Sequence, residues 1–122
     1  ESLAAASRAE LMELGLGYRA NYVRAAAQQL LSQQPPGRAF LESLRQPSLS
    51  SDSAEEPELA RKHRLNVRAQ LCKLPGIGPK VADCIALFAL GQHSCVPVDV
   101  HVWRIVTRDY EPALLEAKSL TP

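Results

Sequence analysis

The chain lacks several features that would assign it to common protein classes. It has only three cysteines, an odd number with no paired metal-ligand spacing, so we expect a reducing compartment, no disulfide framework and no metal site. No apolar run reaches about eighteen residues, which argues against a membrane span. The first residues are rich in alanine but include Glu1, Arg8 and Glu10, so we expect no signal peptide. Strand-like alternation is absent outside residues 94–98, which leaves helix as the predicted structure.

Charge is nearly balanced but unevenly distributed. The net charge of +1 argues against a protein that binds nucleic acid through its overall charge. Between positions 61 and 80, however, every charged residue is basic: Arg61, Lys62, Arg64, Arg68, Lys73 and Lys80. Such a run is typical either of a solvated helix face or of a phosphate-binding surface.

Apolar spacing and helix-breaking residues predict an all-α fold, a bundle of about six helices in a single domain. The segment 46–57 is rich in serine, glutamate and proline, which indicates a mobile loop within that domain. The predicted helices cover residues 2–14, 18–33, 38–45, 58–74, 79–90 and 100–108.

The turn between the fourth and fifth predicted helices carries the strongest functional signal. We expect Gly76 and Gly78 to provide positive φ and close backbone approach, and Pro79 to begin the next helix. The unpaired N–H groups of that helix start form an anion site, for which we predict a DNA phosphate. Asp99 follows Lys80 by nineteen residues at the start of the last helix. An amine and a carboxylate so placed form a candidate catalytic pair.

These segments resemble the helix-hairpin-helix DNA glycosylase superfamily and, within it, the family of eukaryotic 8-oxoguanine DNA glycosylases. The resemblance covers most of residues 10–110 and fails from about 33 to 65. It rests on the segments 74–85 (LPGIGPKVADCI), 96–105 (VPVDVHVWRI), 108–110 (RDY) and 15–23 (GLGYRANYV).

The resemblance implies a helix-hairpin-helix fold and a bifunctional DNA glycosylase and AP lyase of base excision repair. Such an enzyme removes 8-oxoguanine from duplex DNA through a lysine imine. It implies a monomer without a cofactor, in the nucleus or alternatively the mitochondrion. Residues 1–122 would form part of the catalytic core. The substrate would be double-stranded DNA containing an oxidised purine.

The resemblance also implies roles for individual residues. Lys80 is the expected nucleophile, and Asp99 the carboxylate that stabilises positive charge on the sugar. Tyr18 is expected to fill the gap left by an extruded base, and Arg19 to read the base opposite. The residues expected to contact the DNA backbone are Gly76, Ile77, Gly78 and His101. The residues expected to line the base pocket are Cys84 and Phe88, and Phe88 stands where the family usually has methionine.

Each of these residues also has a plainer interpretation. Lys80 can bind phosphate only, Asp99 can be only an N-cap, and Tyr18 can pack at a helix start. Cys84 and Phe88 can be core residues. At the level of the whole chain, two alternatives stay open. One is an endonuclease-III-like glycosylase for oxidised pyrimidines, and the other is a non-catalytic helix-hairpin-helix module that only binds duplex DNA.

Overall fold

The computed structural model describes residues 1–45 and 56–116, and all regular structure in these ranges is helical, which confirms the all-α prediction. No strand forms at residues 94–98. The elements are α1 (Ser2–Ala5), α2 (Arg8–Glu13), α3 (Arg19–Leu31), α4 (Arg38–Ser43), α5 (Glu56–Cys72), α6 (Pro79–Ala89) and α7 (Val100–Ile105), then a π-helical turn (Val106–Tyr110) and a 3-10 turn (Pro112–Glu116).

The prediction of one helix over residues 2–14 is wrong, because a capping box divides it. The Ser7 hydroxyl accepts a hydrogen bond from the Glu10 N–H at 3.2 Å, and the Glu10 carboxylate accepts one from the Ser7 N–H at 2.7 Å. These reciprocal bonds begin a new helix at Arg8. The bond from the Ser7 backbone also lowers the pKa of Glu10.

Two other predicted boundaries also change. Helix α5 begins at Glu56, so the end of the expected loop 46–57 is helical, and the rest of that segment lies outside the described residues. Helix α7 ends at Ile105 and continues as the π-helical turn to Tyr110. There the Thr107 hydroxyl donates to the Trp103 carbonyl oxygen at 2.9 Å, a local bond that competes with regular helix.

The core lies between α4, α5 and α6, directly beneath the turn that joins α5 to α6. Ala82 and Ala86, one helical turn apart, are buried on α6, and their small side chains let α5 approach closely. Complete burial of Leu71 from α5 contributes about 2 kcal/mol. The buried cluster consists of Phe40, Leu44, Val67, Leu71, Leu74, Ala82, Ala86 and Leu90.

Helix α3 connects the N-terminal helices to this core. Its Ala26 and Leu30 pack against the core cluster. The Gln28 side-chain amide donates to the Ala4 carbonyl oxygen at 3.2 Å. The amide of Gln29 donates to the Lys73 carbonyl oxygen at 3.1 Å, which holds α3 against the end of α5. Among the described helices, none has the length and apolar character that a membrane crossing requires.

Candidate active site

The turn between α5 and α6 has one glycine in the left-handed region, not two. Gly76 has φ +80°, as predicted. Gly78 has φ −92° and ψ 177°, so the prediction of positive φ there is wrong. Gly78 is the N-cap of α6, and an N-cap takes an extended backbone. A Cβ on Gly78 would meet nothing within 4 Å among the described residues, so none of their contacts requires glycine there.

The first turn of α6 presents unpaired N–H groups to solvent. Its N-cap, Gly78, has no side chain to accept them, and Pro79 at the first position has no N–H. The Ala82 N–H donates to the Gly78 carbonyl oxygen at 2.9 Å, which leaves the N–H groups of Lys80 and Val81 ahead of it. Together with the helix dipole, these groups favour a bound anion.

Ile77 contributes to the turn and not to this N–H surface. Its N–H donates to the Leu74 carbonyl oxygen at 3.1 Å, and its half-buried side chain packs against the core. Gly76 and Gly78 are both exposed beside it. The backbone that can approach a phosphate is therefore that of the glycines and of the start of α6.

Lys80 and Asp99 occupy the first turns of two different helices. The Lys80 side chain is exposed at the start of α6, and Asp99 is the N-cap of α7. Asp99 Oδ1 accepts hydrogen bonds from the N–H groups of His101 and Val102, both at 2.9 Å. Both bonds go to the same oxygen, so Oδ2 takes no part in the cap. His101 has an exposed side chain beside this carboxylate.

Electrostatic interactions connect the two groups. The pKa of Asp99 is lowered chiefly by the hydrogen bond from the Val102 N–H and, against an opposing effect of burial, by that from the His101 N–H and by electrostatic interactions with His101 and Lys80. Lys80 therefore lies within electrostatic reach of the carboxylate. It does not belong to any of the four ion pairs of 4 Å or less in the described residues. The site thus presents an anionic carboxylate near an amine that is not bonded to it.

Tyr18 and Arg19 project from the start of α3 as a stacked pair. The Tyr18 ring is 69% exposed, and the Arg19 guanidinium carbon lies 4.5 Å from the ring centroid. At an exposed site this cation–π contact contributes about 0.5–1 kcal/mol. Tyr18 therefore does not pack in the core of the described residues, and its ring is free to contact a ligand.

The family is decided by comparison with known proteins. A family described as "HhH-GPD superfamily base excision DNA repair protein" matches residues 1–118. The chain belongs to the HhH-GPD superfamily. This confirms the family resemblance predicted from the sequence.

Curated relatives support the same assignment. "N-glycosylase/DNA lyase OGG1" of Arabidopsis thaliana is 42% identical over 122 residues, all of this chain and 29% of the relative. "N-glycosylase/DNA lyase" of Saccharomyces cerevisiae is 39% identical over 106 residues, 87% of this chain and 26% of the relative. "Probable N-glycosylase/DNA lyase" of Methanothermobacter thermautotrophicus is 32% identical over 100 residues, 80% of this chain and 25% of the relative. The chain thus spans well under a third of the length of these relatives.

In this HhH-GPD chain, the two residues of the expected base pocket are exposed to different extents. Cys84 is half-buried, whereas Phe88, one turn later on α6, is 81% exposed. Phe88 therefore does not pack in the core of the described residues. Its exposed ring is open to a ligand.

Sequence analysis missed the contact between Tyr22 and Gly76. A Cβ placed on Gly76 would lie 2.7 Å from the Tyr22 Cβ and 2.8 Å from its Cγ. Gly76 is therefore required by its φ angle and also by its closeness to α3. The only sequence signal was the spacing of Tyr22 one turn after Tyr18, which places both on one face of a helix.

The basic run of residues 61–80 divides between two sites. Lys80 lies at the start of α6, whereas Arg61, Arg64 and Arg68 line a cleft of about 200 Å³ on the side of α5. Arg68 pairs with Asp83 at 3.5 Å, and Arg64 donates to the Ser94 hydroxyl at 3.0 Å. Burial raises the pKa of Asp83 in spite of the Arg68 charge. These arginines thus connect α5 to α6 and to the segment before Asp99.

Gln92 is a second residue that sequence analysis missed. It is completely buried, and its amide donates to the Leu44 carbonyl oxygen at 3.4 Å. Its side-chain oxygen accepts the Cys95 thiol at 3.7 Å. In the described residues, no group of three or more His, Cys, Asp and Glu side chains is arranged to hold a metal ion.

Proposed function

We propose that this chain is part of the catalytic core of a base excision repair enzyme, a bifunctional DNA glycosylase and AP lyase that removes 8-oxoguanine from duplex DNA. The observation that carries the proposal is the placement of Lys80 at the anion-binding start of α6, within electrostatic reach of the Asp99 carboxylate. The names of the relatives, N-glycosylase/DNA lyase, support the same activity.

Lys80 is the proposed nucleophile. Its neutral amine nitrogen forms a bond to C1′ of the sugar while the bond from C1′ to the base breaks. The base leaves with the bonding electron pair and takes up a proton. Ring opening then gives an imine between Nζ and C1′, and loss of a C2′ proton expels the 3′ phosphate by β-elimination.

Asp99 is the proposed electrostatic partner. Positive charge develops on the sugar as the base departs, and a carboxylate fixed nearby stabilises that charge. The cap holds the carboxylate by Oδ1, so the orientation of Oδ2 is set before DNA binds. Asp99 is ionised at neutral pH, because its ordinary pKa of 3.8 is already acidic and the hydrogen bonds of the cap lower it further.

Binding of DNA uses the neighbouring surfaces. A phosphate of the duplex binds the N–H groups at the start of α6, and His101 lies beside the same backbone. Tyr18 fills the space left by the extruded base, and Arg19 reads the base opposite. Cys84 and Phe88 form one wall for the oxidised purine. The partner is double-stranded DNA, the active form is a monomer, and the compartment is the nucleus, with the mitochondrion as the alternative.

Borohydride trapping tests the proposal directly. The full chain is incubated with duplexes that carry 8-oxoguanine, an oxidised pyrimidine or no lesion, and covalent complexes are counted. Lys80→Gln abolishes trapping and base release but leaves duplex binding largely intact, because most of the contact with the phosphate is made by backbone N–H groups. Lys62→Gln, at an exposed lysine of α5 to which the proposal gives no role, is the matched control and traps normally.

Other outcomes favour the alternatives. Trapping that is confined to the oxidised pyrimidine favours the endonuclease-III-like glycosylase. Duplex binding by the wild type without any trapping favours a non-catalytic module. Normal trapping by Lys80→Gln overturns the assignment of the nucleophile.

A further inference from the structure

Tyr22 packs directly on the backbone of the phosphate-binding turn. A Cβ on Gly76 would come within 2.7 Å of the Tyr22 Cβ and 3.3 Å of a ring carbon, so the aromatic side chain already fills that space. The ring is nonetheless 48% exposed. Its hydroxyl makes no hydrogen bond within the described residues. Tyr22 therefore acts through the contact of its Cβ and ring with the turn.

A second contact attaches the same helix to the start of the turn. Gln29 lies seven residues after Tyr22, two turns along one face of α3. Its amide donates to the Lys73 carbonyl oxygen at 3.1 Å. Helix α3 therefore contacts the turn at both Lys73 and Gly76, which fixes its axial position relative to the start of α6.

The same helix start carries the exposed pair Tyr18 and Arg19. Tyr22 is one helical turn beyond Tyr18, so the two side chains lie on one face. The distance from the N–H groups of α6 to the Tyr18 and Arg19 stack is consequently fixed by the contact between Tyr22 and Gly76. We infer that Tyr22 is a positioning residue that sets the wedge Tyr18 and Arg19 at a fixed distance from the bound phosphate.

This inference rests on the proposed function. It predicts different effects on phosphate binding, imine formation and release of a paired base, whereas a general loss of structure would reduce all three. Phosphate binding needs only the turn. Imine formation at a preformed abasic site needs Lys80 and Asp99, since no base has to leave. Release of a paired base also needs extrusion, which costs a few kcal/mol that the wedge must recover. Loss of Tyr22 should therefore affect only the third step.

The experiment compares Tyr22→Ala with the matched control Tyr22→Phe in the full chain. For Tyr22→Ala we expect excision of paired 8-oxoguanine to fall about tenfold or more, as for a misplaced positioning group. Duplex affinity and trapping at a preformed abasic site should fall by no more than about twofold, because the N–H groups of α6, Lys80 and Asp99 stay in place. Tyr22→Phe keeps the ring on Gly76 and should match the wild type in all three measurements.

Extrusion is also measured without chemistry, by the fluorescence of 2-aminopurine next to the lesion as the duplex is titrated. Tyr22→Ala should reduce the fluorescence rise, and Gln29→Ala should do so to a smaller extent while leaving the chain folded. Equal losses in all three activities, or an unchanged fluorescence rise in Tyr22→Ala, would overturn the inference. A wild type that extrudes the base but forms no imine would contradict the proposed function and leave the test of Tyr22 intact.

Discussion

Asp99 uses its two carboxylate oxygens for different purposes. Oδ1 accepts both hydrogen bonds of the N-cap, and Oδ2 is left for the site. An N-cap and a catalytic carboxylate are usually alternative interpretations of an aspartate at a helix start. Here the geometry allows both, because one oxygen is enough to begin the helix.

Replacement of Asp99 by asparagine should separate these purposes. Asparagine is as good an N-cap as aspartate, so Asp99→Asn should fold normally. We expect its rate of base release to fall by about 100-fold or more, because the charge that stabilises the sugar is lost. Single-turnover excision by folded variant and wild type measures the effect. Excision at the wild-type rate would leave Asp99 only a structural role.

The same variant reports the pH dependence of stability. Folding lowers the pKa of Asp99 below its ordinary value of 3.8. Ionised Asp99 therefore stabilises the folded state above that value, and the stabilisation is lost as the pH falls through the lower folded pKa. The difference in the free energy of unfolding between wild type and Asp99→Asn should shift against the wild type below about pH 4. A constant difference down to pH 2 would contradict the lowered pKa.

At the residue scale, local chemistry was predictable and long-range contact was not. Lys80 and Asp99 stand out because a glycine turn and an N-cap position are local signals. The contact of Tyr22 with Gly76 joins residues 54 positions apart, and no spacing rule reaches that far. The wrong φ for Gly78 has a local cause. A glycine is compatible with either a left-handed turn or an N-cap, and Pro79, at the first position of α6, makes Gly78 the N-cap.

At the scale of elements, the turn between α5 and α6 gives its two glycines different constraints. Gly76 is constrained by the protein itself, through its positive φ and the Tyr22 side chain. Gly78 has a φ that any residue adopts and open space around its Cβ position. A pair of alanine substitutions can therefore distinguish folding from ligand approach.

We expect Gly76→Ala to lower the free energy of unfolding by about 2 kcal/mol, because the new Cβ is strained and overlaps Tyr22. Gly78→Ala should leave thermal unfolding nearly unchanged but weaken binding to every duplex, damaged or not, because its Cβ enters the phosphate site. Thermal melts and binding titrations measure the two effects. If Gly78→Ala binds duplex normally, phosphate does not approach that backbone.

The existence of the helices was more predictable than their ends. Helices α3, α4 and α6 each lie within one or two residues of the predicted bounds. The capping box at Ser7 to Glu10 was readable in the sequence but was hidden by the apolar spacing of Leu3, Leu11 and Leu14 across it. The π-helical turn after α7 depends on where the Thr107 hydroxyl bonds, which only the folded chain decides.

At the scale of the whole molecule, the balance of charge limits how DNA can be bound. With a net charge of +1, affinity must come from a few local cations and from neutral N–H groups. The exposed cations of the proposed DNA surface are Lys80 in the first turn of α6, Lys73 just before the turn and Arg19 at the start of α3. The arginines of the α5 cleft have other partners.

We therefore expect a shallow dependence of duplex affinity on salt. Release of counterions from about three phosphates gives a slope of log K against log salt of about −3. Titrations of undamaged duplex between about 50 and 200 mM potassium chloride measure this slope. A slope near −6 would mean that the α5 cleft also binds phosphate, and Arg64→Gln would then reduce it by about 1.

The burial of Gln92 has a consequence for how Asp99 reaches Lys80. Helix α6 carries the chain about 15 Å from Lys80 to Leu90. The segment from Leu90 to Asp99 can span about 30 Å when extended, which is roughly twice the distance back along α6 to Lys80. The length of this segment therefore does not fix the position of Asp99 relative to Lys80. The Gln92 bond to Leu44 and the Arg64 bond to Ser94 hold this segment in place, so the position of Asp99 relative to Lys80 depends on two side chains outside the proposed catalytic pair.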